Sequence, residues 1–171
     1  APSRVVGLGQ TSQGAGEFIP VVDPGYAAKT ILEGGAGPEQ IAAANPDVVL
    51  MKSSNAESIG TPLEALGVPV VYVDFETPEQ YTRDLGTLGQ LFGNEARARE
   101  LIAYFQERVE RTTTALAGLE DARKPNVLLL YYSDRDGAVA FNVPPLGYIQ
   151  STLVELSGGR LAWRDAQLGK G

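Results

Sequence analysis

The stretch Gly37-Pro38-Glu39-Gln40-Ile41-Ala42-Ala43-Ala44-Asn45-Pro46-Asp47-Val48-Val49-Leu50-Met51 decides the fold. Pro38 suits the first turn of a helix, where its missing N–H removes no intrahelical bond. The helical pattern runs to Ala44 and gives way at Asp47 to an apolar run that reads as a buried strand. That run is continuous rather than alternating, which favours a parallel strand covered on both faces. Outward from it, Val5-Val6-Gly7-Leu8, Pro69 to Asp74 and Asn126 to Tyr132 read the same way. A helix is expected from Ala56 to Leu66, stopped by Gly67. Strands alternating with helices define an α/β fold with a parallel sheet.

The middle of the chain changes character. Thr77-Pro78-Glu79 has the form of a capped helix start, and the helix can run to Phe92. Gly93 interrupts it, and Asn94 suits the cap of a second helix. Glu95 to Leu116 contains neither Pro nor Gly. Its apolar positions Ala98, Leu101, Ile102, Phe105, Val109, Thr112 and Leu116 recur every three or four residues. A helix of about 22 residues would be about 33 Å long, longer than most in an α/β domain. Its charged side, with Arg97, Arg99, Glu100, Glu107, Arg108, Glu110 and Arg111, reads as a solvated face. Gly118 to Pro125 is a polar turn. Ala138 to Phe141 reads as a short strand, and Tyr148 to Leu156 as a helix ending at Gly158-Gly159. The 46 residues from Asn126 to Gly171 are too few to close a covered sheet of several strands.

Composition narrows the function. The chain has 171 residues, 43% hydrophobic and 20% charged, as a globular domain does. With 21 acidic and 14 basic residues its net charge is −7, and the sequence pI is about 4.6. That balance argues against a nucleic-acid partner and against an anionic membrane surface. It has no cysteine and no histidine. Disulfides, thiolate nucleophiles, cysteine-held metals, the Ser-His-Asp triad and histidine metal sites are therefore excluded. Asp134 and Asp136 stand close in sequence, but neighbours on a turn point apart, and no nucleophile–base pair stands out. No resident metal or cofactor is expected, and the residues by themselves give no sign of an enzyme site.

In open α/β sheets ligands gather at the carboxyl ends of the strands. That places Lys52 and Ser53 of Lys52-Ser53-Ser54-Asn55, and Phe75 of Asp74-Phe75-Glu76-Thr77, among the candidate ligand contacts. Tyr131-Tyr132-Ser133-Asp134-Arg135-Asp136 joins two aromatics to a cation, and Phe141, Tyr148 and Trp163 come soon after. An aromatic wall with Arg135 suits a large, planar or macrocyclic, partly anionic ligand. Core packing with a type I turn at Ser133-Asp134 explains the same segment equally well. The glycines at 7, 9, 14 and 16 lack the spacing of a dinucleotide fingerprint, because Gln10 to Gln13 intervene and Phe18-Ile19-Pro20 stands where a helix should begin.

The 37–50 stretch resembles the substrate-binding proteins of ABC importers for ferric siderophores, haem and cobalamin. In that family a pattern (N/P)-x-E-x-I-x-x-x-x-P-D-(V/L)-(V/I) precedes a strand of the first lobe. The likeness continues through Leu63 to Asp74, the Leu85-Gly86-x-Leu88-Gly89 helix and the long helix from Asn94. Tyr148 to Gly159 is similar to a helix and glycine pair of the family's second lobe. The match covers about residues 31–163. It implies two Rossmann-like α/β lobes with parallel sheets joined by one long helix, with the ligand in the cleft between them. The corresponding division is 1–92 for the first lobe, 93–119 for the connecting helix and 120–171 for a partial second lobe. The resemblance also implies a monomer outside the cytoplasm, periplasmic or extracellular and compatible with a lipid anchor, that delivers a metal chelate to an ABC permease. Glu39 matches the first-lobe glutamate that meets permease arginines, a contact open to charge-assisted bonding; the plain alternative is a carboxylate stabilising its own helix.

The chain departs from the family at Gln10 to Glu17, too short for the usual helix and second strand. The rest of the second lobe would lie beyond Gly171, so the native protein is expected to be longer. Zinc- and manganese-binding relatives rely on histidines and are set aside. Two other readings remain: a Rossmann-like nucleotide-binding enzyme or regulatory domain, which requires a helix near Gly14, and an interaction module docking through the long helix.

Overall fold

A computed structural model describes residues 2–9, 18–135 and 137–164. The chain forms two compact units, Ala1–Val73 and Asp74–Gly171. In the first, β1 (Gly7–Gly9) pairs in parallel with β2 (Thr30–Leu32), Leu8 opposite Ile31. A one-turn helix α1 (Ile19–Val22) lies between them in sequence. Asp23, after it, pairs with Lys29 at 3.3 Å, and the Lys29 ammonium also donates to the Val5 carbonyl at 2.8 Å. Helix α2 (Pro38–Ala43) starts at Pro38 as expected, and the Gln40 side chain accepts from the Gly37 amide at 3.0 Å.

Strands β3 (Val49–Met51) and β4 (Val70–Tyr72) then pair in parallel, Leu50 opposite Val71. Two further bonds, Val49 N–H to Pro69 O and Val73 N–H to Met51 O, extend the ladder at both ends. The expected helix 56–66 is a π turn, Ala56–Gly60, followed by α3 (Thr61–Ala65). Pro62 has no N–H to continue the ordinary ladder, and the Thr61 amide instead bonds the Ala56 carbonyl one step further back. Leu63 of α3 is fully buried and anchors this strand–helix–strand unit.

The second unit is built on α4 (Pro78–Phe92) and α5 (Glu95–Leu116), packed on each other. Thr77 caps α4 by accepting from the Gln80 amide at 3.2 Å, and the Gln80 side chain accepts in turn from the Glu76 amide at 2.9 Å. Gly93 ends the helix at φ +64, a left-handed cap that glycine adopts without strain. Asn94 takes the position before α5, but its side chain makes no cap bond. The two helices approach closely at Gly89: a Cβ there would lie 2.6 Å from the Ala98 Cβ.

The run from Asn126 to Tyr132 departs from expectation. Only β5 (Asn126–Val127) is parallel, pairing with β8 (Arg160–Leu161). Leu128, Leu129 and Leu130 lie outside any strand and are exposed. Then β6 (Tyr131–Arg135) pairs antiparallel with β7 (Ala138–Asn142), so Ser133 and Asp134 lie in a strand rather than a turn. A continuous apolar run favours a parallel strand only where neighbours flank it, and among the described residues no strand flanks 128–130. Helix α6 (Ile149–Leu156) comes next, with Tyr148 at its N-cap. Among the described residues no helix is long and apolar enough to cross a membrane.

Candidate functional site

The loop leaving β4 carries the most constrained backbone near any candidate residue. Phe75 sits at φ +56, in the left-handed region that a bulky side chain rarely adopts. Asp84 of α4 holds it there. One carboxylate oxygen, Oδ2, accepts from the Asp74 amide at 2.7 Å and the Phe75 amide at 3.0 Å. The other, Oδ1, accepts from Arg83 Nε at 2.6 Å, and Arg83 also reaches Asp74 at 3.1 Å. Asp84 is 1% exposed. Burial pushes its carboxyl up, but the Arg83 guanidinium and the two amides outweigh that and hold it below the ordinary carboxylate value. The Asp84 carboxylate in turn raises the Arg83 guanidinium.

The Phe75 ring, half-buried, meets Tyr81 edge-on at 5.6 Å, and Tyr81 stacks on Phe105 of α5 at 4.1 Å. Three aromatics thus run from the loop to the long helix. The next residue, Glu76, accepts from the Ile149 amide at 2.8 Å, at the first turn of α6. Tyr148, 43% exposed, directly precedes that amide.

The remaining candidates fall in three settings. On the β6–β7 hairpin, Tyr132 and Phe141 are cross-strand partners with ring centroids 5.5 Å apart. Tyr131, opposite Asn142, lies on the other face, because successive strand residues alternate. Tyr131, Tyr132 and Phe141 are 62%, 56% and 63% exposed. Arg135 ends β6; Asp136 and the glycine-bearing stretch 10–17 lie outside the described residues. Trp163 is buried, and its indole N–H donates to the Pro144 carbonyl at 3.0 Å. In the first unit Lys52 and Ser53 are exposed at the end of β3, where a 3-10 turn begins, and Glu39 is exposed in the first turn of α2.

Sequence reasoning finds Phe75 from its place after a strand. It misses Asp84; Glu76 lies in the loop it singles out, but the bond to Ile149 that gives Glu76 its place does not show. A signal for Asp84 is present: it falls three residues after Tyr81 and four before Leu88, a carboxylate on the apolar side of a helix.

The family model described as periplasmic binding protein matches residues 19–150. The chain belongs to the periplasmic binding protein family. This bears out the resemblance read from residues 37–50 and the α/β class. No curated protein matches by sequence. Solved structures share the fold. The TroA-like periplasmic binding protein FepB of Veillonella parvula is 19% identical with a TM-score of 0.73, over 96% of this chain and 51% of that one. The periplasmic heme-binding protein RhuT of Roseiflexus sp. RS-1 is 18% identical, TM-score 0.68, over 96% and 59%. IsdE of S. aureus, solved with heme, is 16% identical, TM-score 0.67, over 96% and 63%. The chain therefore spans roughly half to two thirds of the length of these neighbours. The family and its neighbours are solute-binding proteins rather than enzymes.

Proposed function

We propose that this chain is part of the substrate-binding component of an ABC importer, working outside the cytoplasm, that captures a metal chelate and hands it to the permease. The ligand class is a ferric siderophore, haem or a corrinoid. The observation that carries this is the family match over residues 19–150. Heme-binding neighbours such as RhuT and IsdE support the chelate class.

The chemistry of the candidate residues fits such a ligand. Phe75, Tyr131, Tyr132, Phe141 and Tyr148 offer broad aromatic faces with polar edges, and Lys52, Ser53 and Arg135 offer donors to anionic groups. A chelated metal arrives with its coordination largely filled, so no dedicated protein ligand is required, although a tyrosine can serve haem iron. Trp163 shapes the Pro144 loop as much as any contact surface. Glu39, exposed at a rigid helix start, is the docking carboxylate for permease arginines. The protein acts as a monomer without nucleic acid.

The test is a titration of the full-length protein with haemin, a ferric tris-catecholate, a ferric tris-hydroxamate and cobalamin. Saturable binding with a rise in Tm is expected for one of the four. Silence toward all of them would defeat the reading.

A further inference from the structure

Asp84 and Glu76 fix one short loop through two separate bonds: Asp84 takes the Asp74 and Phe75 amides, and Glu76 takes the Ile149 amide. A phenylalanine at φ +56 persists only where its surroundings over-determine it. Two adjacent amides converging on one buried carboxylate do this for Phe75. The other oxygen of that carboxylate accepts from Arg83 Nε at 2.6 Å, which restrains its rotation away from the amides. One residue on, Glu76 spans 73 positions of sequence to take the first amide of α6 at 2.8 Å. That bond satisfies a helix-start donor that Tyr148, at the N-cap, cannot. It also ties the residue after Phe75 to the residue after Tyr148.

We propose that Asp84 and Glu76 are positioning residues for ligand capture, which set Phe75 and Tyr148 as a fixed aromatic pair before the ligand arrives. Neither carboxylate touches the ligand. Asp84 fixes the direction in which Phe75 leaves the backbone, and Glu76 fixes where the Phe75 loop stands relative to the start of α6. Aromatic contacts held in place in the free protein spare the ordering of a loop on binding, and affinity rises accordingly. This inference rests on the chelate-binding reading.

The experiment has two arms. In the first, residue-resolved amide hydrogen exchange is measured without ligand. Asp84→Ala should speed exchange at Asp74 and Phe75, and Glu76→Ala should speed it at Ile149, each by about tenfold or more. Glu76→Gln, whose amide oxygen still accepts, should restore the Ile149 protection. In the second arm, Kd for haemin and the two ferric complexes is measured below the melting range of each variant. Asp84→Ala and Glu76→Ala should weaken binding by about tenfold. Asp84→Asn serves if the alanine variant does not fold, with a smaller loss at the same amides. In a Phe75→Gly background the Asp84 change should add no further loss, since no ring remains to position. A merely structural carboxylate would lower Tm without that coupling. Unchanged exchange at these amides, or unchanged Kd in a protein that does bind, overturns the inference. If the unmodified protein binds none of the probes, the chelate reading fails, and the exchange arm alone decides whether the carboxylates set the loop.

Discussion

Two aromatic groups of the second unit are built in opposite ways. Phe75, Tyr81 and Phe105 form a chain of rings between a braced loop and a helix pair, backed by a buried carboxylate. Tyr131, Tyr132 and Phe141 stand more than half exposed on a two-stranded hairpin. In the first group the Phe75 backbone is held by a carboxylate from another element, and the two rings beyond it sit on helices. Among the described residues, the bonds of the second stay within its own hairpin, the strand ladder and a 3.5 Å bond from the Tyr132 hydroxyl to the Asp134 carboxylate, and a two-stranded hairpin by itself is marginal in water. The difference separates residues whose placement is intrinsic to the fold from residues placed by local alternation alone.

Substitutions should expose this asymmetry. The largest effect is expected from Gly89→Leu, which drives a side chain into Ala98 and the Glu95 Cα, 2.6 and 3.3 Å from where its Cβ would stand. Parting α4 from α5 should lower stability by about 3 kcal/mol, measured by urea denaturation. Asp84→Ala, which leaves the Asp74 and Phe75 amides without their acceptor, should lower it by about 2 kcal/mol in the same assay. Acid should mimic part of that loss. The Asp84 carboxyl is held below its ordinary value, so the unfolded chain takes up the proton first. Its contribution is complete above about pH 4 and declines as the pH falls further, whereas Asp84→Asn should flatten this part of the pH profile. On the hairpin, Phe141→Ala removes one cross-strand ring contact and should cost only about 0.5 kcal/mol. A loss there as large as that at Asp84 would erase the contrast. Smallest of all, Arg97→Ala breaks an exposed ion pair with Glu100 and should change stability by about 0.3 kcal/mol.

The same contrast governs what is legible in the sequence. The long helix Glu95–Leu116 and the starts at Pro38 and Pro78 are legible, because periodicity and capping are local. β2 is not, since three residues, Thr30-Ile31-Leu32, are too short to show a period. The Asn126–Tyr132 run reads as one strand, yet its pairing depends on which neighbours flank it, and no local signal specifies those. In the candidate site, Phe75 is visible as the residue after a strand. The bond from Glu76 to Ile149 is not, because only tertiary structure brings them together. The exchange of faces between Tyr131 and Tyr132 comes from strand geometry, once the segment is known to be strand rather than turn.

Trp163 is the chain's sole tryptophan. Its indole is bonded to Pro144, and the next carbonyl, that of Pro145, accepts from the Ser151 hydroxyl and the Tyr148 amide. One native fluorophore is thereby wired to the stretch of chain that carries Tyr148. Its emission colour and lifetime give an optical gauge of that stretch in the unlabelled molecule, and guests that absorb in the near ultraviolet would register on it by energy transfer.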